Sequence, residues 1–144
     1  MNSPITILLA EDNPGDVFLV RRALEKHGLR DVELVVVEDG QAAIRYIERV
    51  DADEAVFAPA LALLDLNLPR ATGSRILTRV RQSRRCGEIP IIIVTSSDSP
   101  LDREAAAQLG ATGYFQKPGD LAGFMHLGQV IRTALDGQVR SAPG

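Results

Sequence analysis

Four short apolar runs in this chain each end on polar residues, and this pattern most constrains how the chain can fold. The runs occupy residues 5–10, 61–64, 91–94 and 113–116. The polar residues that follow them are Glu11 with Asp12, Asp65, Thr95 and Lys117. Apolar runs of this length, separated by longer amphipathic stretches, are typical of buried strands in a parallel sheet. Because the carboxyl ends of parallel strands lie at the same edge of a sheet, we expect these polar residues to converge there.

Predicted strands and helices alternate regularly along the chain. Strands are predicted at residues 5–10, 32–37, 61–64, 90–95 and 112–116, and helices at residues 15–28, 40–50, 73–85, 100–110 and 119–136. Asn13 or Asp12 is expected to cap the first helix, and Asp16 to favour its dipole. Five strand–helix units with right-handed crossovers predict a three-layer α/β fold, doubly wound around a parallel five-stranded sheet. The flavodoxin-like strand order 2-1-3-4-5 would bring Glu11, Asp12 and Asp65 together.

Composition indicates one globular domain and argues against several classes of function. The chain has 144 residues, of which 45% are apolar and 24% charged, values that suit a single core rather than a disordered segment. A net charge of −3 gives no basic footprint for nucleic acid. The first residues lack the basic flank and long apolar run of a signal peptide or membrane span. We therefore expect a cytoplasmic protein that binds neither nucleic acid nor membrane.

The domain organisation is predicted to be simple. Residues 1–136 are expected to form the domain and residues 137–144 a flexible tail, with no output domain after it. The single cysteine, Cys86, follows Arg84 and Arg85 and precedes Gly87. We expect it to be an exposed thiol in a loop.

The convergent residues carry the chemistry of phosphoryl transfer to an aspartate. Three clustered carboxylates repel one another unless a cation or protons neutralise them. Oxygen ligands from Asp12 and Asp65, a backbone carbonyl group and several waters suit Mg²⁺, with Glu11 acting through water. The Lys117 ammonium group and the Thr95 hydroxyl can each hold one phosphoryl oxygen. An aspartate nucleophile beside Mg²⁺ and a lysine is the arrangement that forms an aspartyl phosphate.

Four motifs in these regions resemble those of the receiver domain, the phosphoacceptor module of two-component response regulators. The motifs are Leu8-Leu9-Ala10-Glu11-Asp12-Asn13, Asp65-Leu66-Asn67-Leu68-Pro69 with Gly73, Val94-Thr95-Ser96, and Tyr114-Phe115-Gln116-Lys117-Pro118. The resemblance extends from Ile5 to Leu135. The segments at 11–16 and 65–70 are also similar to those of single-domain regulators paired with phytochrome-type histidine kinases.

The resemblance implies how the site is phosphorylated. A histidine kinase, of the phytochrome type in the narrower group, would phosphorylate Asp65. Mg²⁺, with Mn²⁺ as an alternative, would bind Glu11, Asp12, Asp65 and the carbonyl group of Asn67. Thr95 and Lys117 would then hold the phosphoryl group. Such a protein phosphorylates and dephosphorylates only itself and has no external substrate.

The resemblance also implies how phosphorylation changes the protein. Thr95 would move toward the phosphoryl group, and Tyr114 would turn inward into the space that it leaves. Asn67 and Ser97 occupy the positions that tune the lifetime of the phosphoryl group. A homodimer through the fourth helix, fifth strand and fifth helix is typical of the family, and the apolar stripe of the last helix is broader than one sheet face requires. The predicted interface residues are Tyr114, Phe124, Leu127, Ile131 and Leu135.

Other functions use similar residues. A receiver can be the end point of signalling, a phosphate sink or a relay intermediate. A phosphohydrolase of the haloacid dehalogenase type also uses an aspartate nucleophile with Mg²⁺, but it needs a second acid two residues later. Asn67 holds that position here and cannot transfer protons. A constitutive interaction module that no longer needs phosphorylation is disfavoured because all the site residues are present.

Overall fold

A computed structural model describes residues 5–141 and confirms the predicted alternation of strands and helices. The strands are β1 (Ile5–Ala10), β2 (Val32–Val37), β3 (Leu61–Leu64), β4 (Ile91–Thr95) and β5 (Gly113–Gln116). The helices are α1 (Pro14–Lys26), α2 (Gly40–Ala52), α3 (Gly73–Arg81), α4 (Pro100–Gln108) and α5 (Leu121–Ser141). The strands form one sheet in the predicted order, β2-β1-β3-β4-β5, and every neighbouring pair is parallel.

Both faces of the sheet are buried, because side chains alternate between the two faces along each strand. Leu8 and Leu64 belong to a core cluster that includes residues of α2 and α3. Leu9 and Leu63, which are partners in the β1–β3 register, belong to a second cluster with α1 and α5. The central strands are therefore fixed from both sides, and their carboxyl ends are held at one edge of the molecule.

Polar residues cap the helices that follow the strand ends. The Asn13 side chain accepts a hydrogen bond from the Gly15 N–H at 2.8 Å, and Pro14 occupies the first turn of α1, where it needs no backbone partner. Asp39, Thr72 and Ser99 cap α2, α3 and α4 in the same way. These caps start α1, α2 and α4 within five residues of the preceding strand and α3 after the longer connection at residues 65–72, and they leave the strand-end side chains at the edge of the sheet.

Packing against α1 explains the broad apolar stripe of α5. α5 covers the sheet and α1 together, so a wider arc of its surface is buried than one sheet face would require. Phe124 packs edge-on against Phe115, with ring centroids 6.1 Å apart. The stripe residues Phe124, Leu127, Ile131 and Leu135 are all buried in this core. Their prediction as interface residues is therefore wrong, whereas Tyr114 remains half-buried at the surface.

α5 is longer than predicted. It continues to Ser141, so residues 137–141 of the predicted tail are helical, and residues 142–144 lie outside the described part of the chain. Between residues 5 and 141, none of the helices has both the length and the apolar character needed to cross a membrane.

Cys86 is buried, and its prediction as an exposed thiol is wrong. The turn that carries it is drawn into the core because Asp51 accepts hydrogen bonds from the Ser83 hydroxyl at 2.7 Å and from the Arg85 N–H at 3.1 Å. The Cys86 N–H in turn donates to the Ser83 hydroxyl at 2.9 Å. Burial raises the pKa of the Cys86 thiol, which makes it less reactive than a free cysteine.

Gly128 allows the close approach of α1 and α5. A Cβ atom at this position would lie 2.3 Å from His27 Cδ2 and 2.4 Å from the carbonyl oxygen of Ala23. The two helices are joined at the same place by polar contacts. His27 Nε2 lies 3.1 Å from the Met125 carbonyl oxygen, and Arg132 donates to the His27 carbonyl oxygen at 2.7 Å.

We expect Gly128→Ala to lower the free energy of unfolding by about 1–3 kcal/mol, because the added methyl group forces α1 and α5 apart. Gly137→Ala on the same helix is the matched control, since its added Cβ would meet no described atom within 4 Å apart from its chain neighbours and the adjacent backbone of α5. The control should be neutral or stabilising by up to about 1 kcal/mol, because alanine favours a helix over glycine. Urea unfolding followed by circular dichroism measures both values. Equal effects of the two substitutions would contradict the close contact at Gly128.

Candidate functional site

The residues that follow β1, β3 and β5 meet at one edge of the sheet. The Lys117 ammonium nitrogen lies 2.7 Å from Glu11 Oε1 and 3.0 Å from Asp65 Oδ2. The backbone extends the parallel ladder to the same point, because the Lys117 N–H donates to the Thr95 carbonyl oxygen at 2.7 Å. Side chains from distant parts of the sequence are thus joined in one ionic cluster.

Asp16 is a third partner of Lys117, and sequence reasoning missed it. Its Oδ2 atom lies 2.8 Å from the Lys117 nitrogen. The sequence predicts for Asp16 only a favourable interaction with the dipole of α1, but the first turn of this helix lies beside the strand ends. The available signal was an acidic residue in the first turn of a helix that starts two residues after Asp12. Lys117 therefore pairs with three carboxylates, and its side chain is only 11% exposed.

The electrostatics of the cluster keep Lys117 charged. Burial alone would lower the pKa of Lys117, but hydrogen bonds to Asp16, Glu11 and Asp65 raise it above its ordinary value. For Glu11 the effect of burial outweighs that of its partner. Burial and the nearby Asp65 charge raise the pKa of Glu11, although Lys117 acts to lower it. The site therefore holds a permanent cation beside a glutamate that takes up a proton more readily than usual.

Glu11, Asp12 and Asp65 form a group of carboxylates suited to a metal ion. Each offers an oxygen atom, and these atoms all lie within 4.8 Å of one another. Glu11 and Asp65 are buried, while Asp12 is exposed and leaves the group open on one side. Carboxylate oxygens with an open, water-accessible side are the donors that Mg²⁺ and Mn²⁺ prefer, so the residues present fit such an ion.

Both carboxylate oxygens of Asp65 are engaged. Oδ2 accepts from Lys117, and Oδ1 accepts from the Asn67 N–H at 3.1 Å. Asp65 is 7% exposed, so one of its edges reaches the surface. The structure thus places an oriented carboxylate beside an ammonium group and a candidate metal site, an arrangement that can accept a phosphoryl group.

The remaining predicted site residues lie around the carboxyl end of β4. Thr95 is fully buried, and its hydroxyl accepts a hydrogen bond from the Ser97 N–H at 3.4 Å. The Tyr114 hydroxyl donates to the Ser97 carbonyl oxygen at 3.1 Å. The Arg103 guanidinium carbon lies 4.7 Å from the centroid of the Tyr114 ring. Thr95, Ser97 and Tyr114 are therefore one connected group, which touches the ionic cluster through the backbone contact of Thr95 with Lys117.

Comparison with known proteins agrees with this geometry. The chain matches the family model of the response regulator receiver domain over residues 7–127. It is 33% identical over 132 residues to the response regulator Rcp1 of Synechocystis sp., an alignment that covers 92% of this chain and 89% of Rcp1.

Solved structures give the same result. The Mn²⁺-bound form of Rcp1 superimposes with a TM-score of 0.79 at 32% identity, covering 90% of this chain and 93% of that one. The phosphorylated cyanobacterial phytochrome response regulator RcpA superimposes with a TM-score of 0.81 at 27% identity, and the match covers 93% of this chain and 95% of RcpA. A third structure is the receiver domain of the sensor histidine kinase PA1611 from Pseudomonas aeruginosa, which has a magnesium ion in its active-site cleft. It superimposes with a TM-score of 0.72 at 27% identity, and the match covers 92% of this chain and 98% of that domain.

We expect Lys117→Met to lower the free energy of unfolding at pH 7 by about 3–5 kcal/mol, because it leaves the buried carboxylates of Glu11 and Asp65 without a cation. The loss should shrink as the pH falls toward 5. Burial raises the pKa of Glu11, so the folded variant binds a proton on this residue at a higher pH than the unfolded chain does. The stability of the variant therefore rises as the pH falls from 7 toward 5.

Denaturant unfolding of both proteins at the two pH values measures this difference. Lys26→Met, which removes an exposed lysine of α1, is the matched control and should change stability by less than about 0.5 kcal/mol. A loss of the same size at both pH values would show that the folded variant takes up no extra proton on Glu11 and would contradict this prediction.

Proposed function

Because the chain belongs to the response regulator receiver domain family, we propose that Asp65 accepts a phosphoryl group from the phosphohistidine of a histidine kinase. The observation that carries this proposal is the position of Asp65, buried beside Lys117 at 3.0 Å and within a group of three carboxylates. In the transfer, a carboxylate oxygen of Asp65 bonds to phosphorus as the bond from phosphorus to the imidazole nitrogen breaks. The protein would signal by changing its contacts with other proteins.

The proposal includes a divalent cation, Mg²⁺ or alternatively Mn²⁺. Two observations support it: the carboxylate oxygens of Glu11, Asp12 and Asp65 lie within 4.8 Å of one another, and Rcp1 and the PA1611 receiver were solved with Mn²⁺ and magnesium. The carbonyl group of Asn67 is the proposed fourth protein ligand. When bound, the ion neutralises charge on the carboxylates and on the phosphoryl oxygens.

The other residues of the site would hold the phosphoryl group and respond to it. Lys117 is already bonded to Asp65, so a small movement of its ammonium group would bring it to a phosphoryl oxygen. The Thr95 hydroxyl would bind a second oxygen, and Tyr114 would follow, because Ser97 bonds to both residues. Asn67 and Ser97 would set the lifetime of the acyl phosphate.

A phytochrome-type kinase is the proposed phosphoryl donor. The support comes from similarity to Rcp1 and to RcpA, which is a phytochrome response regulator, at 33% and 27% identity. A role as phosphate sink or relay intermediate would use the same chemistry at Asp65. Measuring which kinase transfers its phosphoryl group fastest to this chain would identify the partner.

The phosphoacceptor reaction is tested with Mg²⁺ and acetyl phosphate, followed by intact mass. We expect one added phosphoryl group, lost on chelation of the metal and absent in Asp65→Asn, because the acyl phosphate forms on that carboxylate. Beryllium fluoride should form a matching complex. Failure of both acetyl phosphate and beryllium fluoride would contradict the proposal. Turnover of a generic phosphate ester that depends on Asp65 would instead favour a phosphohydrolase.

The proposed homodimer would use α4, β5 and α5. Because four of the predicted contact residues are buried, the contact would be made by surface residues such as Arg103 and Tyr114, which stack on this face. We expect sedimentation at micromolar concentration to show a dimer whose population changes with beryllium fluoride. A monomeric mass in both states would contradict dimerisation.

A further inference from the structure

Ser97 joins three parts of the site that are otherwise separate. Its N–H donates to the Thr95 hydroxyl at 3.4 Å, and its carbonyl oxygen accepts from the Tyr114 hydroxyl at 3.1 Å. Its own hydroxyl donates to Asp102 Oδ2 at 2.6 Å. The residue that would bind the phosphoryl group, the aromatic residue that would respond to it and the first turn of α4 therefore all meet at Ser97.

We propose that Asp102 is a positioning residue, which holds residues 96–99 through the Ser97 hydroxyl in the conformation that couples Thr95 to Tyr114. This proposal rests on the proposed function for its effect on phosphorylation. Asp102 does not touch Asp65 or the metal site in this scheme; it acts only through Ser97.

The hydrogen bonds around Ser97 leave its side chain little freedom. A serine hydroxyl has one proton, and here that proton is directed to Asp102 in a short, charge-assisted bond. The same hydroxyl oxygen accepts the Ser99 N–H at 3.2 Å. Ser99 caps α4, and its hydroxyl accepts the Asp102 N–H at 3.4 Å. Asp102 is thus bonded to the loop by its side chain and by its backbone.

The position of Asp102 also relates it to the phosphoacceptor. Asp102 and Asn67 line the same cavity of about 130 Å³ between the β3–α3 connection and α4, together with Leu66 and Ala106. Asn67 follows Asp65 by two residues and donates its N–H to that carboxylate. Asp102 therefore lies on the side of α4 that faces the β3–α3 connection.

A simpler role for Asp102 would be to stabilise the N-terminus of α4 by its charge alone. In that case Ser97 would not matter, because the charge acts directly on the helix. In the proposed role, the effect of Asp102 requires the Ser97 hydroxyl. A double-mutant cycle on these two residues separates the two roles.

The test uses the full chain with Mg²⁺ and acetyl phosphate and follows the rate of phosphoryl incorporation by intact mass. Asp102→Asn and Ser97→Ala should each slow incorporation by about three- to tenfold, because either change removes the charge-assisted bond. The double variant should be no slower than Ser97→Ala alone. Glu104→Gln, which removes another exposed carboxylate of α4, is the control and should leave the rate unchanged.

A rate unaffected by Asp102→Asn, or effects that multiply in the double variant, would overturn the proposal. A second readout does not need phosphorylation: NMR of the Tyr114 ring and the Ser97 and Ser99 amides in the resting protein. Asp102→Asn should shift all three in the wild-type background, whereas it should leave the Tyr114 ring unmoved in the Ser97→Ala background. If the wild type incorporates no phosphoryl group, the proposed function fails, and an unmoved Tyr114 ring would still refute the role of Asp102.

Discussion

The interaction on which the site depends is the Lys117 ammonium group among three carboxylates. The strand order places β1 beside β3, so the acids that end these strands are forced together and partly buried. Buried like charges are costly unless a cation is bonded to them. Lys117 reaches Glu11, Asp16 and Asp65 from the end of β5, two strands away from β3. This ion cluster therefore connects the ends of the central strands β1 and β3 and of the outer strand β5 to α1.

This cluster also explains why the site can respond to added charge. Lys117 and both oxygens of Asp65 have partners in the structure, so a metal ion or a phosphoryl group must compete for them. A bound metal ion or phosphoryl group would therefore replace some of the hydrogen bonds that Lys117 and Asp65 already make. The Lys117 backbone is hydrogen-bonded to Thr95, so the cluster is connected directly to the end of β4. The stabilising contacts of the resting site are thus the same ones that the proposed reaction uses.

Much of the fold was predictable because strands and helices leave local patterns in the sequence. The errors concern residues whose burial depends on packing between distant segments. The alternation of strands and helices, together with right-handed crossovers, predicted the strand order, and the polar residues at the strand ends predicted that Glu11 and Asp65 meet. The width of an apolar stripe does not reveal whether a second helix or a partner covers it, so the α5 residues were misassigned to an interface. The burial of Cys86 depends on Asp51, which lies more than thirty residues earlier in the chain, and no periodic pattern records that bond.

The distribution of burial indicates which element can move when the charge at the site changes. α1 and α5 are held in close contact at Gly128 and by the core residues of α5. Among the nine residues of α4, all within the described range, Ala106 alone is buried. Polar contacts at Ser97 attach this lightly packed helix to Thr95 and Tyr114. Elements with little buried apolar surface open at the lowest free-energy cost, so we expect a charge change beside Thr95 to move α4 more than α5.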